Sequence, residues 1–387
     1  MKIRRTAGLA ALIALVGIAV FVPGAQADRA SGTWTGELQL RGNYYWERST
    51  RVVAPSLSGG VVSPDGLRIG GEYLVDSITS ASQAAGVLED VRFTEIRHQG
   101  SVNAGYEFDL GEAHLDISGS LRVSREPDYL SVGGGIGAAL SLADRTTILR
   151  LGLSYVHDEI RQRFQVGTGE RPGAGGNTSG SGFGENFDAM ALTVGWEQIL
   201  SPVVYFQVTY QYGYMNGFLA NAYRRVVVND ALRPENHPGI RRRHTLTGRL
   251  AYHLRATGTS FHLIYRAYYD NWRVGALTPE VRIYQRLARY TFARVRWRHY
   301  RQTESFFYEE SYPMDTTDDA YVTADPKMSQ FHSNLLGFQI LLKAGFLDGT
   351  ALEGLRGASI DLSVDYIWNT NRFGNGVIAE AGLRVPF

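Results

Sequence analysis

Hydrophobic and polar residues alternate with period two along most of this chain, in runs of about ten residues separated by turn residues. In 203–214, Val204, Phe206, Val208, Tyr210, Tyr212 and Tyr214 share one face, while Gln207, Thr209 and Gln211 take the other. In 358–368, Ile360, Leu362, Val364, Tyr366 and Trp368 alternate against Asp361, Ser363 and Asp365. Soluble strands average ~5–6 residues, about half this length. Several runs also carry aromatics near one end, as at Tyr44 and Trp46, Tyr155, Trp196 and Trp368. Long strands with terminal aromatics predict a barrel whose apolar face meets lipid and whose rings sit at the headgroups. A secreted β-sandwich or solenoid is the competing soluble reading.

Counted backward from the C-terminus, the runs fall at 376–386, 357–370, 330–343, 291–303, 275–287, 259–272, 243–255, 203–216, 187–199, 147–157, 130–142, 112–124, 92–108, 67–77, 51–61 and 35–47. The fold class is therefore all-β: a transmembrane antiparallel up-and-down barrel of about sixteen strands, with fourteen as the alternative. The span 51–61 is the least regular, because Pro55 and Gly59-Gly60 interrupt it. An even count puts both termini on one side. Tight turns then collect on that side, at 63–66, 109–111, 143–145, 200–202, 256–258 and 288–290, with one longer linker near 344–356. The longest loops, near 158–186, 217–242 and 304–329, collect on the other. Short periplasmic turns and long extracellular loops are the usual asymmetry of outer-membrane barrels, so both termini are expected in the periplasm.

The first 27 residues read separately. Lys2, Arg4 and Arg5 precede an apolar run from Ala7 to Val22, and Ala25-Gln26-Ala27 supplies a small-x-small ending. This is the pattern of a secretory signal peptide cleaved after Ala27, leaving 28–387 as the barrel. An uncleaved anchor is the alternative, but the run falls short of the ~20 residues a spanning helix needs. Cysteine is absent, which excludes disulfides, thiolate catalysis and Cys-ligated metal sites. Lysine occurs only at Lys2, Lys327 and Lys343, so 36 of the 39 basic residues are arginine. The formal charge of +1 excludes a globally basic nucleic-acid binder.

The chain's end carries its own signal. Ala379, Ala381, Leu383, Val385 and terminal Phe387 alternate to the last residue. This resembles the C-terminal strand of Gram-negative outer-membrane proteins, which implies reading by the barrel-assembly machinery. Asn43-Tyr44-Tyr45-Trp46-Glu47, Thr146-Thr147, the run from Val295 to Gln302, Tyr321-Val322-Thr323-Ala324-Asp325 and Val385-Pro386-Phe387 resemble a bacterial outer-membrane family known only as a domain of unknown function. That resemblance implies a barrel and supplies no catalytic or binding residues.

With the apolar face toward lipid, the opposite parity faces the lumen. Three consecutive strands then contribute Arg266, Arg282, Arg286, Arg294, Arg296 and Arg298. Strands lie ~4.8 Å apart and i, i+2 residues ~6.8 Å apart, so a contiguous basic patch is expected. Asp270 lies on the same stretch, and Asp361 and Asp365 lie two strands on. The functional reading is a passive or substrate-selective pore whose cationic wall favours small anionic solutes. Its competitor is a plugged barrel, filled by Arg–carboxylate pairs, that docks envelope partners through its long extracellular loops.

The loops add less. Segment 158–186 is glycine-rich and polar, and is either a constriction or a mobile surface loop. Segment 304–329 is acidic, from Glu304 to Asp325 with Lys327 its one lysine, and matches no Ca²⁺-loop spacing; a solvated outer loop is the default expectation. Arg233, His237, Arg241, Arg242, Arg243 and His244 form a basic loop edge within reach of lipopolysaccharide phosphates. His157-Asp158 is an adjacent pair, but no Gly-x-Ser-x-Gly or His-Glu-x-x-His occurs, so no catalytic residue, cofactor or metal site is assigned.

Overall fold

The computed structural model describes residues 32–48, 50–82, 91–127, 129–160, 184–220, 225–229, 231–372 and 374–387. The expected signal peptide and most of the glycine-rich loop lie outside the described residues. Among the described residues eighteen strands occur in chain order. The first nine are β1 Thr35–Glu47, β2 Thr50–Val62, β3 Leu67–Ser82, β4 Val91–Asp109, β5 His114–Arg125, β6 Tyr129–Leu142, β7 Thr147–Ile160, β8 Glu185–Ser201 and β9 Val204–Gly217. A short hairpin follows, β10 Arg225–Val228 and β11 Ala231–Pro234. The chain then resumes with β12 Ile240–Leu254, β13 Thr259–Asp270, β14 Gly275–Ala288, β15 Thr291–Gln302, β16 Phe331–Lys343, β17 Ser359–Asn369 and β18 Gly376–Pro386.

All but the hairpin strands close into one antiparallel barrel of sixteen, each strand paired to its neighbours in order. β1 closes on β18, from Glu37 opposite Pro386 to Glu47 opposite Gly376. Gly36 and Phe387 exchange both backbone hydrogen bonds at the seam, 2.7 and 2.8 Å. Closure leaves no strand edge unpaired, a condition for spanning lipid, where an unsatisfied backbone group costs several kcal/mol. Among the described residues no helix is long and apolar enough to cross a membrane. The strands cross instead.

Orientation follows the alternation. Leu38, Leu121, Ile136, Leu151, Leu263, Leu336 and Leu362 are all exposed on the outside of the barrel. Exposed rings mark both rims, with Trp46, Tyr155, Tyr269 and Trp368 near the long loops and Trp34, Trp196, Tyr252 and Phe261 near the short turns, while Tyr73, Tyr265, Trp297 and Phe338 lie between them. β2, the irregular span, is a full barrel strand. Pro55 stands opposite Gly42 of β1, while pairing to β3 lapses at Ala54 and Pro55 and resumes at Ser56 in unchanged register. A residue without an N–H therefore costs a rung rather than a bulge. Asn43 Nδ2 donates to the Ala54 carbonyl at 3.2 Å and fills the gap.

At the long-loop rim the structure departs from two expectations. Segment 217–239 contains the β10–β11 hairpin, and the acidic segment 303–330 folds against it rather than waving in solvent. Val228 bridges Tyr312, Asn236 bridges Val322, and Tyr308 bridges Thr323. Val226, Val228 and Val322 are fully buried in a cluster with Tyr312, Ala320 and Ala324 packed against it. A second cluster joins Trp272, Phe307 and Met328. A count of carboxylates missed the apolar face of 303–330, which becomes a core only when β10–β11 covers it. At the opposite rim, the linker near 344–356 holds two short 3₁₀ turns, Ala344–Leu347 and Glu353–Leu355.

Candidate functional site: the lumen and its chamber

The inside of the barrel has two unlike walls. Between β2 and β9 the inward positions are largely small, among them Gly60, Gly70, Gly105, Ser120, Gly135 and Gly213. A Cβ added at Gly105 would stand 2.8 Å from an Arg68 nitrogen, and one at Gly135 would stand 3.4 Å from Ser154 Cβ. Between β12 and β15 the inward positions carry arginine. Charge is present on both walls, but on β3 to β8 Arg68 is paired with Asp116, Arg97 with Asp76 and Arg150 with Glu197.

Beneath the loop cap lies a chamber of about 550 Å³. Its walls include Arg241, Arg243, Arg266 and Arg298, with Tyr268, Tyr300 and Gln302 between them, and Glu47 across from them. Met328 and Lys327, from the 3₁₀ turn Pro326–Met328, also line it. Gln302 Nε2 holds that turn by donating to the carbonyls of Lys327, 2.8 Å, and Ser329, 2.7 Å. The cap is thereby tied to a barrel strand.

Each arginine expected in the lumen has a definite situation. Arg266 and Arg298 line the chamber, and no carboxylate oxygen of a described residue lies within 4.0 Å of either. Arg282 pairs with Glu280. Arg296 grips Asp365, with Nε to Oδ1 at 2.7 Å and a second bond from its terminal nitrogen. Arg294 has a buried Nε without a hydrogen-bond partner. Arg286 is exposed beside the β14–β15 turn, where the register shifts between Arg286 and Ala288. The structure thus gathers Arg282, Arg294, Arg296 and Arg298 on two adjacent strands, with Arg282 directly opposite Arg296.

The carboxylates are more deeply committed. Asp270 has no exposed surface; it accepts from Arg241 Nε at 2.8 Å, Tyr268 Oη at 2.6 Å, Trp272 N at 2.9 Å and Val274 N at 3.0 Å. It closes the β13–β14 turn and fixes Arg241, whose guanidinium lies 4.1 Å from the Trp272 ring centre. Asp365 is 1 % exposed and bound by Arg296. Asp361 accepts from Gln339 at 3.1 Å and lies 3.7 Å from an Arg41 nitrogen.

Two chamber arginines sat unrecognised in the basic loop edge. Arg241 and Arg243 belong to β12 and point inward, whereas Arg242 and His244 point outward. The signal was present: the inward parity of Thr245 and Thr247 extends back through 243 and 241. Arg243 lines the chamber and, among the described residues, has no carboxylate within 4.0 Å. His237 lies in the cap, with Nδ1 donating to the Leu219 carbonyl at 3.0 Å and Nε2 3.5 Å from Glu235. Thr323 donates to the same carboxylate at 2.8 Å. His157 and Asp158 do not act together: His157 faces outward to Asp188 at 2.8 Å, and Asp158 is buried inside against Tyr129.

Residues 84–354, 271 of the 387, match the family described as "Protein of unknown function (DUF3570)". Comparison with curated proteins gave no match. Among solved structures, OprD from Pseudomonas aeruginosa superposes with a TM-score of 0.44 at 9 % identity, covering 93 % of this chain and 98 % of that one. OpdK from the same organism gives 0.37 at 12 %, covering 92 % and 99 %. OccAB1 from Acinetobacter baumannii gives 0.39 at 10 %, covering 92 % and 96 %.

Proposed function

We propose that this chain, which belongs to the family of proteins of unknown function DUF3570 and inherits no activity from it, is an outer-membrane pore favouring anionic solutes. One observation carries the reading. Arg243, Arg266 and Arg298 converge on a chamber of about 550 Å³ without a carboxylate within 4.0 Å among the described residues. Four arginines against Glu47 leave the chamber lining with an excess of positive charge, and a low-dielectric wall with such an excess raises the local concentration of counter-ions. Arginine stays charged at every physiological pH and bonds carboxylate or phosphate through a planar fork. Catalysis, a cofactor and a resident metal have no part in this reading.

The setting follows from the same geometry. An apolar exterior with aromatic rings at both rims suits a bilayer, and a closed antiparallel barrel suits the outer membrane of a Gram-negative cell. Export through the signal peptide 1–27, periplasmic termini and recognition of the strand ending at Phe387 by the barrel-assembly machinery complete it. Outer-membrane lipid and lipopolysaccharide would surround the barrel. The folded cap favours a second reading, a barrel that docks envelope partners through its loops. Liposome swelling separates the two: the pore admits small organic anions faster than cations of equal size, and the docking barrel admits neither. Entry that ignores charge overturns the anionic reading.

A further inference from the structure

At the long-loop rim the outside of the barrel changes character from one sector to another. On β7 and β8 the outward groups include Glu159 and Asp188, and Asp188 is bonded to outward His157. On the sector from β12 to β16 the outward groups are Arg242, His244, Arg273, His299, Arg301 and His332. No carboxylate of a described residue lies within 4.0 Å of any of these six. Arg273 is exposed in the β13–β14 turn, and the outward direction of the other five is fixed by exposed neighbours of the same parity: Leu246 on β12, Trp297 on β15 and Leu336 on β16. These cations therefore sit immediately above the greasy belt, at the depth of the headgroups.

Their spacing is specific. Arg301 stands directly opposite His332 in the ladder, and His299 opposite Asn334. The His299 Nδ1 is bonded to Asn334 Oδ1 at 3.0 Å, which orients that ring. His244 lies on the same strand as Arg242 and is held by the Tyr210 hydroxyl at 2.8 Å. The two Arg–His pairs, Arg242 with His244 and Arg301 with His332, are three strand steps apart, and because Arg301 is level with Leu277, Ala267 and Leu246 they are also offset along the strands, so roughly 18 Å separates them at ~4.8 Å per step and ~3.4 Å per residue. Between them the outward positions of β13 and β14 carry no charge.

From this arrangement we infer that the β12–β16 exterior is a binding site for a bisphosphorylated lipid headgroup, that of lipopolysaccharide, with one phosphate at each Arg–His pair. A guanidinium fork matches two phosphate oxygens, and a neighbouring imidazole N–H supplies a further donor. A lone monophosphate satisfies only one of the pairs. The inference rests on the lipid-facing reading of the exterior and is independent of conduction.

The test measures binding of the folded full-length barrel, in detergent, to bisphosphorylated lipopolysaccharide, to its monophosphorylated form and to phosphatidylglycerol, by native mass spectrometry. The bisphosphorylated lipid is expected to bind at least about tenfold more tightly than either of the others. In the double variant R242A/R301A that preference disappears, while R125A, an outward arginine on β5, keeps it. Folding is read by heat-dependent electrophoretic mobility, and conduction stays as in the parent. Equal binding of the three lipids, an R242A/R301A variant that still discriminates, or an R125A variant that loses discrimination equally overturns the site.

Discussion

Arg296 and Asp365 meet across Gly337. The three residues stand side by side on β15, β17 and β16, with Gly337 opposite each of the other two. A Cβ at Gly337 would lie 2.9 Å from Arg296 Cγ and would overlap an Asp365 carboxylate oxygen. The missing side chain is what lets two strands that do not pair with one another share an ion pair.

Gly337→Ala should therefore break the pair without altering either charge. Asp365→Ala leaves Arg296 half-buried and uncompensated and is expected to cost about 3 kcal/mol. The double variant D365A/R296M should recover most of that loss, because removing both charges removes the desolvation penalty as well. Thermal unfolding in detergent ranks the variants, with D365A below D365A/R296M.

The chamber arginines should act on selectivity rather than stability. Arg266→Ala and Arg298→Ala are each expected to lower the anion-to-cation permeability ratio by roughly twofold, since each removes from the wall one positive charge that forms no ion pair with a described residue. Arg286→Ala, beside the short turn and outside the chamber, should leave the ratio near the parent value. Bi-ionic potentials across planar bilayers read all three.

In the cap, His237 must donate from Nδ1 to a carbonyl, so a neutral ring would turn the lone pair of Nε2 toward Glu235 Oε2, 3.5 Å away. Both side chains are buried. Neither atom has a hydrogen-bond partner among the described residues. Glu235→Gln supplies an amide N–H in that place and keeps an acceptor for Thr323, so it should be tolerated. Glu235→Ala strands two buried polar groups and should cost about 1–3 kcal/mol. Limited proteolysis of the cap should be accelerated in E235A and unchanged in E235Q.

Tyr312 predicts an alkaline transition in the cap. Its hydroxyl donates to the Phe307 carbonyl at 2.5 Å and accepts from Thr323 N at 2.7 Å, and burial pushes its phenol up to about 12. The unfolded loop releases this proton first, near the ordinary value of 10.0, so cap stability is intact below that pH and drains away as pH climbs toward 12. Tyr312→Phe removes this transition. Cap proteolysis followed from pH 8 to pH 12 is the measurement, and parent and variant should diverge in the way just described.

Much of the barrel was legible because lipid imposes a single rule on every strand: one face apolar, the other not. The count of sixteen and the sorting of turns from loops followed from that rule alone, and even Pro55 did not break the register. Strand ends were less legible. β12 begins at Ile240, and three successive arginines hid the alternation that sends Arg241 and Arg243 inward and Arg242 outward. The cap was illegible for a different reason. Val226 and Val228 lie almost a hundred residues from Val322 in the chain, and the acidic segment looks polar until β10–β11 covers it. Pairing within the lumen was equally hidden, because nothing in the local pattern around Arg296 or Arg298 says which one meets a carboxylate.

The most direct test of the account is the reversal potential of single channels under a tenfold salt gradient. A chamber walled by Arg243, Arg266 and Arg298 predicts a potential of the sign for anion flow, falling toward zero in the triple alanine variant. A cation-selective potential, or the same anion preference in that variant, would contradict it.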